Sequence, residues 1–322
     1  MASGKLTVLL SAPNMIPAFD RYRPLFERAR IEVVVAHVLE RLSEEELGPY
    51  AGKIDGIICG DDRFTPRVLR AFAPRLKVIS KWGTGIDSID RDEASRLGID
   101  VCNTPDAFTD AVADSVMGYV LAFVRRGPWM DKVMKSGQWE KVPGRALHEC
   151  TLGVIGVGRI GRAVFRRAKP FGPRLLGNDI IPVDSQFLHE VGIEMMTLHD
   201  LLANSDFISL NCDLNPTSHH LVNRETLGSV RHGAVLINTA RGPVLEEQAF
   251  VEALRTGRLS GAALDVFEEE PLPSDSPLRA MENVLLAPHN ANSSPSAWER
   301  VHRNTVKNLF LGLGVEVPLT LA

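Results

Sequence analysis

The chain has 322 residues, 44% of them hydrophobic in type, and a formal net charge of −4. That length suits two domains, and a mildly acidic chain without a long Lys/Arg run excludes a general nucleic-acid binder. No apolar stretch is long enough to span a bilayer, and the first residues lack a secretory pattern.

Cys59, Cys102, Cys150 and Cys212 are scattered through apolar segments without metal-ligand spacing. A cytoplasmic protein with reduced thiols and no metal is expected.

Five short apolar runs open the chain, and strands are predicted at 6–10, 31–35, 56–59, 76–80 and 99–102. Helical patterns such as 43–47 and 65–73 lie between them. Strands at this spacing with intervening helices predict a parallel sheet covered on both faces. From Ala111 to Arg126 the pattern changes. Val112, Ala113, Val116, Met117, Val120, Leu121 and Val124 form a wide apolar stripe at helical spacing. Such a helix is buried, either within the chain or against a second copy. The stretch 127–149 holds Trp129 and Trp139 but no strong periodicity, and reads as an arm or a connection.

From Thr151 the strand–helix alternation resumes. Strands are predicted at 152–156, 174–178, 207–210, 234–238, 261–265 and 284–287, which fits a doubly wound dinucleotide-binding domain. A polar stretch then leads into a last helix at 297–311, placed to return to the first domain. The expected division is a discontinuous domain of 1–104 plus 290–322 and a second domain of 105–289.

The run into Gly156-Val157-Gly158-Arg159-Ile160-Gly161 carries the most information. An apolar strand passes straight into G-x-G-x-x-G, and a helix follows. Gly156 permits a tight turn, Gly158 lets backbone approach a pyrophosphate, and Gly161 lets the helix pack on its strand. Arg159 and Ile160 open that helix, whose N-terminus favours phosphate. Asp179 closes the next apolar run. A carboxylate there accepts from the ribose hydroxyls and repels a 2′-phosphate, and no Arg or Lys adjoins it. The expected cofactor is therefore NAD rather than NADP.

Arg241, Glu270 and His289 follow the last three predicted strands, where ligands bind in open α/β sheets. An Arg fork grips a carboxylate and polarises the neighbouring carbonyl. A His delivers a proton to that oxygen as hydride arrives, and a carboxylate beside it favours the protonated ring. These types suit hydride exchange with a 2-hydroxy acid. Singly, each has another reading: a surface ion-pair partner, a solvated acidic turn, a loop histidine. Together at successive strand ends they point to chemistry.

These residues also carry a resemblance. Gly156-x-Gly158-x-x-Gly161, Asn238-Thr239-Ala240-Arg241-Gly242, Gly261 to Phe267 with Glu270-Pro271, and Pro288-His289 resemble the D-isomer-specific 2-hydroxyacid dehydrogenases over nearly the whole chain. The resemblance implies a Rossmann NAD-binding domain and a flavodoxin-like substrate domain with the cleft between them. It implies Arg241 as substrate anchor, Glu270 as partner of His289, and His289 as general acid/base. Asp265 would contact the nicotinamide amide, with Thr239 and Ala240 lining the cofactor site. The apolar helix and its Trp-containing extension resemble a dimerisation arm, so a homodimer is expected.

Lys81-Trp82-Gly83-Thr84-Gly85 resembles the family's substrate loop, and Gly-Thr-Gly makes an anion nest. Lys81 stands where phosphoglycerate dehydrogenases carry a basic residue. It is either a phosphate ligand or a surface lysine at a strand end. Asp106, Phe108 and Asn290-Ala291 depart from the family pattern beside the substrate. Glu270 counts against formate dehydrogenases, which carry Gln there. With the last helix so near Ala322, feedback control through a C-terminal regulatory domain is not expected. The expected substrate pair is 3-phosphoglycerate/phosphohydroxypyruvate, the alternative a glyoxylate/hydroxypyruvate-type reductase. From another class, an NAD(H)-sensing corepressor-like binding protein also fits the triad.

Overall fold

The computed structural model describes residues 5–321. It divides into two compact units, one running to Phe108 and resuming at Ser294, the other spanning Thr109–Ser293. The boundaries fall slightly later than the sequence places them, at the start of one helix and just before another.

In the first unit five strands lie parallel: β1 (Leu6–Leu10), β2 (Ile31–Val35), β3 (Gly56–Cys59), β4 (Val78–Lys81) and β5 (Asp100–Cys102). Their order is β2-β1-β3-β4-β5, the flavodoxin-like winding. Leu9, Ile57, Cys59 and Ile79 face one way into a core with Phe64, Leu69 and Phe72. The other face takes the final helix, Pro295–Gly312. Glycines bring it close. A Cβ on Gly56 would lie 2.9 Å from Leu309 Cδ1, and one on Gly312 would strike Val78. The Ser80 hydroxyl donates to Thr305 O at 2.8 Å across this contact.

The second unit holds seven parallel strands: β6 (Thr151–Ile155), β7 (Arg174–Asn178), β8 (Ile193–Met195), β9 (Phe207–Leu210), β10 (Ala234–Asn238), β11 (Leu259–Leu264) and β12 (Val284–Leu286). The order β12-β11-β10-β9-β6-β7-β8 is the doubly wound Rossmann arrangement with one strand added, and its winding reverses between β6 and β9. β8 is the strand the sequence reading lacks. It is short, at an edge, and only Ile193 is buried, so it carries no apolar run. Arg174 of β7 ties it down through Glu194 at 2.7 Å.

Both sheet faces are covered, which explains the unbroken apolar runs. Leu152, Val154, Val235 and Ile237 point into one core, while Ile155, Leu236 and Leu264 point into the other.

The helix Thr109–Arg125 settles the choice left open for its stripe. Val116, Met117, Val120, Phe123 and Val124 pack within the unit against Leu152, Val164 and Phe165, so the stripe is no exposed face for a second copy. Arg167 on the helix Arg159–Ala168 clasps Asp114 at 2.6 Å and Asp110 at 2.8 Å. The segment read as an arm begins with a helix, Gly127–Lys135, that buries none of its residues. Among the described residues no helix is long and apolar enough to cross a membrane.

Candidate active site

The carboxyl edge of the second sheet gathers most of the residues singled out by sequence. Each glycine after β6 has a different local reason. Gly156 has φ +89, and a Cβ there would lie 2.6 Å from Cys212 N at the end of β9, where the winding reverses. Gly161 brings its helix against Gly156, whose carbonyl a Cβ would strike. Gly158 meets nothing within 4 Å. No protein packing demands a glycine there, so the demand comes from what approaches the open side. This is the fit expected of a dinucleotide's pyrophosphate at an uncapped helix N-terminus. Arg159 and Ile160 open the helix beside it.

Asp179 follows β7 and leans back onto this turn. Its carboxylate accepts from Val157 N at 2.7 Å and Ile181 N at 2.8 Å. The acidic residue is thereby fixed beside the glycine loop. Two buried oxygens directly after β9 and β10 remain without a hydrogen-bond partner among the described residues, Asn211 Oδ1 and Thr239 Oγ1. A buried acceptor or hydroxyl left so is costly, and a polar cofactor edge would satisfy both. Asn211 was missed in the sequence. The available signal was its place directly after β9, opposite Gly156.

Asn238, fully buried, shapes the next turn. Its Oδ1 accepts from Ala240 N at 3.0 Å and its Nδ2 donates to Arg241 O at 2.9 Å. Thr239, Ala240 and Arg241 are thus presented at the sheet edge. Gly242 then abuts the backbone of Phe267 and Glu268, leaving no room for a side chain. That contact sets the Arg241 turn against the turn carrying Glu270.

His289 Nδ1 lies 3.0 Å from Glu270 Oε2. Glu270 is held on its other side, where Oε1 accepts from Phe267 N at 3.0 Å. With Nδ1 on the carboxylate, Nε2 is the ring atom placed to exchange a proton with a substrate. Both side chains are mostly but not wholly buried, at 22% and 17% exposure.

Asp265 is 1% exposed, and its oxygens accept from Asn290 N and Ala291 N, both at 2.8 Å. His289 N donates to Asp265 O at 2.8 Å. Burial pushes the Asp265 carboxyl up, while the two backbone N–H groups oppose that rise. Asp265 therefore fixes the His289 turn, a job beyond the nicotinamide contact expected of it. Because Asn290 and Ala291 contribute backbone N–H groups, their departure from the family pattern leaves this anchoring intact.

In the first unit Lys81 is neither a surface lysine nor an open phosphate ligand. It is buried and pairs with Asp61 at 2.7 Å. Trp82 is a core residue. Its Nε1 donates to His302 Nδ1 at 2.9 Å, and it packs against Phe108 and Trp298. Burial holds the His302 ring below its ordinary range, which suits it as acceptor. Gly83 has φ +130. Its carbonyl accepts from Thr104 N at 2.9 Å, and Asn103 Nδ2 donates to Thr84 O at 2.5 Å. The carbonyls of Gly83 and Thr84 are thus engaged by Thr104 and Asn103.

A doubly wound sheet with this glycine turn, followed by a paired His and Glu at the last strand ends, defines a dinucleotide-dependent oxidoreductase. Residues 117–291 match the D-isomer specific 2-hydroxyacid dehydrogenase NAD binding domain. The chain is 40% identical over 286 residues to a glyoxylate reductase of Thermofilum pendens, covering 87% of this chain and 84% of that protein. It is 38% identical over 269 residues to a D-3-phosphoglycerate dehydrogenase of Methanocaldococcus jannaschii, covering 83% of this chain but 51% of that one. The crystal structure of a D-lactate dehydrogenase from Aquifex aeolicus complexed with NAD and lactic acid matches with TM-score 0.80 at 29% identity, covering 94% of this chain and 93% of that chain.

The chain belongs to the D-isomer specific 2-hydroxyacid dehydrogenases. It is an NAD-dependent enzyme of that family, acting on small 2-hydroxy or 2-keto acids.

Proposed function

We propose that the enzyme is a glyoxylate/hydroxypyruvate-type reductase rather than a 3-phosphoglycerate dehydrogenase. The observation that carries the choice is the buried Lys81–Asp61 pair, 2.7 Å apart. The one cation that the sequence offers for a substrate phosphate is already neutralised, and freeing it would cost its ion pair. The relatives named glyoxylate reductase, such as that of Thermofilum pendens, support the same reading.

Gly156, Gly158, Arg159, Ile160, Gly161 and Asp179 would hold NADH, which when bound would supply the hydride. Thr239 and Ala240 would line its site, and Asp265 would stand near its carboxamide. In the first unit the Gly83-Thr84-Gly85 turn would serve as a backbone N–H nest for an anion. In the second the Arg241 guanidinium would grip a substrate carboxylate and polarise the keto oxygen. His289 delivers a proton from Nε2 to that oxygen, while Glu270 on Nδ1 orients the ring and stabilises its charged form. In the oxidation direction His289 takes the proton back.

The test is NADH oxidation with glyoxylate, hydroxypyruvate, pyruvate and phosphohydroxypyruvate side by side. The expected result is the highest kcat/KM with glyoxylate or hydroxypyruvate. A clear preference for phosphohydroxypyruvate overturns the reading. A cytoplasmic enzyme accords with the four free thiols. A homodimer is proposed through the 127–149 arm, where Met134 and Trp139 stand exposed. A monomer in sedimentation at micromolar concentration removes that part.

A further inference from the structure

The catalytic pair has a neighbour of the same chemistry. His220 Nε2 lies 2.6 Å from Glu268 Oε1, and Glu268 stands two residues before Glu270 in the same turn. His220 and His289 share another trait. Both hold the left-handed backbone region, at φ 49 and φ 50. That conformation costs a non-glycine residue energy and persists only where the surroundings impose it.

The surroundings of His220 are specific. Its N–H donates to Pro243 O at 2.8 Å, and its carbonyl accepts from Asn223 Nδ2 at 3.0 Å. Val222 N donates to Val244 O at 3.1 Å, and Glu246 N donates to Val222 O at 2.8 Å. The backbone of His220 is therefore stitched to the segment directly after Arg241. Its ring reaches the other way, to the turn that carries Glu270. That turn is also held by the Gly242 contact on Phe267 and Glu268, by Glu270's own grip on Phe267 N and by Glu268 N, which donates to Glu247 Oε2 at 3.4 Å.

We propose that His220 and Glu268 are positioning residues for the reduction, a clamp that sets the Glu270 turn against the Arg241 turn so that Glu270 meets His289. The inference rests on the catalytic reading of Glu270 and His289. Neither His220 nor Glu268 touches a reacting atom in this scheme. Small misplacement of an acid/base pair is expensive in rate, so a half-exposed pair acts here on kcat rather than on stability.

The experiment measures kcat, KM and NADH affinity for H220A, E268A and E268Q, and repeats H220A in an E270A background. H220A and E268A should each lower kcat about tenfold, with NADH affinity held within about twofold. E268Q keeps a hydrogen bond to the ring and should recover most of what E268A loses. In the E270A enzyme, H220A should cost nothing further, because the clamp acts through Glu270. If H220A lowers kcat by the same factor with and without Glu270, or leaves it unchanged beside an inactive H289A, the clamp is refuted alone. If H289A itself keeps full kcat, the catalytic reading falls and the clamp with it.

Discussion

The two sheets place polar residues at the same structural position, their carboxyl edges, and use them in opposite ways. In the second unit the edge residues are held by the turns that carry them, and the Arg241 guanidinium itself donates to Ala240 O at 2.8 Å. Asn238 folds the Arg241 turn, Asp265 anchors the His289 turn, and Gly158 faces open space. In the first unit the charged and aromatic groups are used up among themselves. Lys81 is spent on Asp61, Trp82 on His302, and Asp62 on Leu42 N at 2.7 Å and the Ser11 hydroxyl. Beside these paired side chains runs the Gly83–Gly85 turn, with Gly83 buried at φ +130.

The sharpest way to break this contrast is to remove a reagent. His289→Ala should lower kcat by about 10²–10⁴-fold in steady-state NADH oxidation, with the melting temperature close to that of the parent. Retained turnover would mean that the proton comes from elsewhere.

The two glycines next separate packing from ligand. Gly161→Ala drives a methyl into the Gly156 carbonyl and should cost about 1–3 kcal/mol in denaturant unfolding. Gly158→Ala meets no protein atom within 4 Å, so stability should move by less than about 0.5 kcal/mol. NADH affinity, read by fluorescence titration, should nevertheless fall about tenfold or more. Equal effects of the two variants on affinity and stability would erase the distinction.

The first unit's internal pairing has a pH signature. Burial pushes the Asp62 carboxyl up from 3.8 to about 6. Its folded value exceeds its unfolded value, so the native state binds the extra proton between them. Stability should therefore decline as pH rises from about 4 to about 6. The contribution is at most about 3 kcal/mol, from 1.36 kcal/mol per unit. Asp62→Asn should flatten that slope in urea titrations at stepped pH, and an unchanged slope would assign it to other groups.

The smallest effect expected is on specificity. Asp61→Asn removes the carboxylate paired with Lys81 and should raise kcat/KM for phosphohydroxypyruvate relative to hydroxypyruvate by about threefold to tenfold. No change in that ratio would show that Lys81 is silent toward phosphate even when released.

Much of the architecture was legible because both sheets bury both faces. Buried parallel strands read as apolar runs, and the turns between them carry glycines with a steric reason, as Gly156 and Gly161 do. β8 was not legible, since an edge strand with Glu194 and Met195 exposed leaves no such run. The helix 109–125 was legible as buried, yet its partner was not, because a stripe of Val and Met is the same whether covered from within or by another copy. Lys81 shows the same limit for charge. A lysine two places before a glycine turn looks available until its partner from the end of β3 is found.

By itself, then, the sequence determined the alternation of strands and helices and the glycine turn after β6, and it placed Arg241, Glu270 and His289 after successive strands, because these depend on local spacing and strand ends. Tertiary structure decided which groups were already taken. It put Asp61 on Lys81, His302 on Trp82, Asp265 under the His289 turn and His220 on Glu268. Hydrogen bonds and ion pairs between residues far apart in the chain leave no periodic mark, and only the register of the sheets brings them within 3 Å or so of one another.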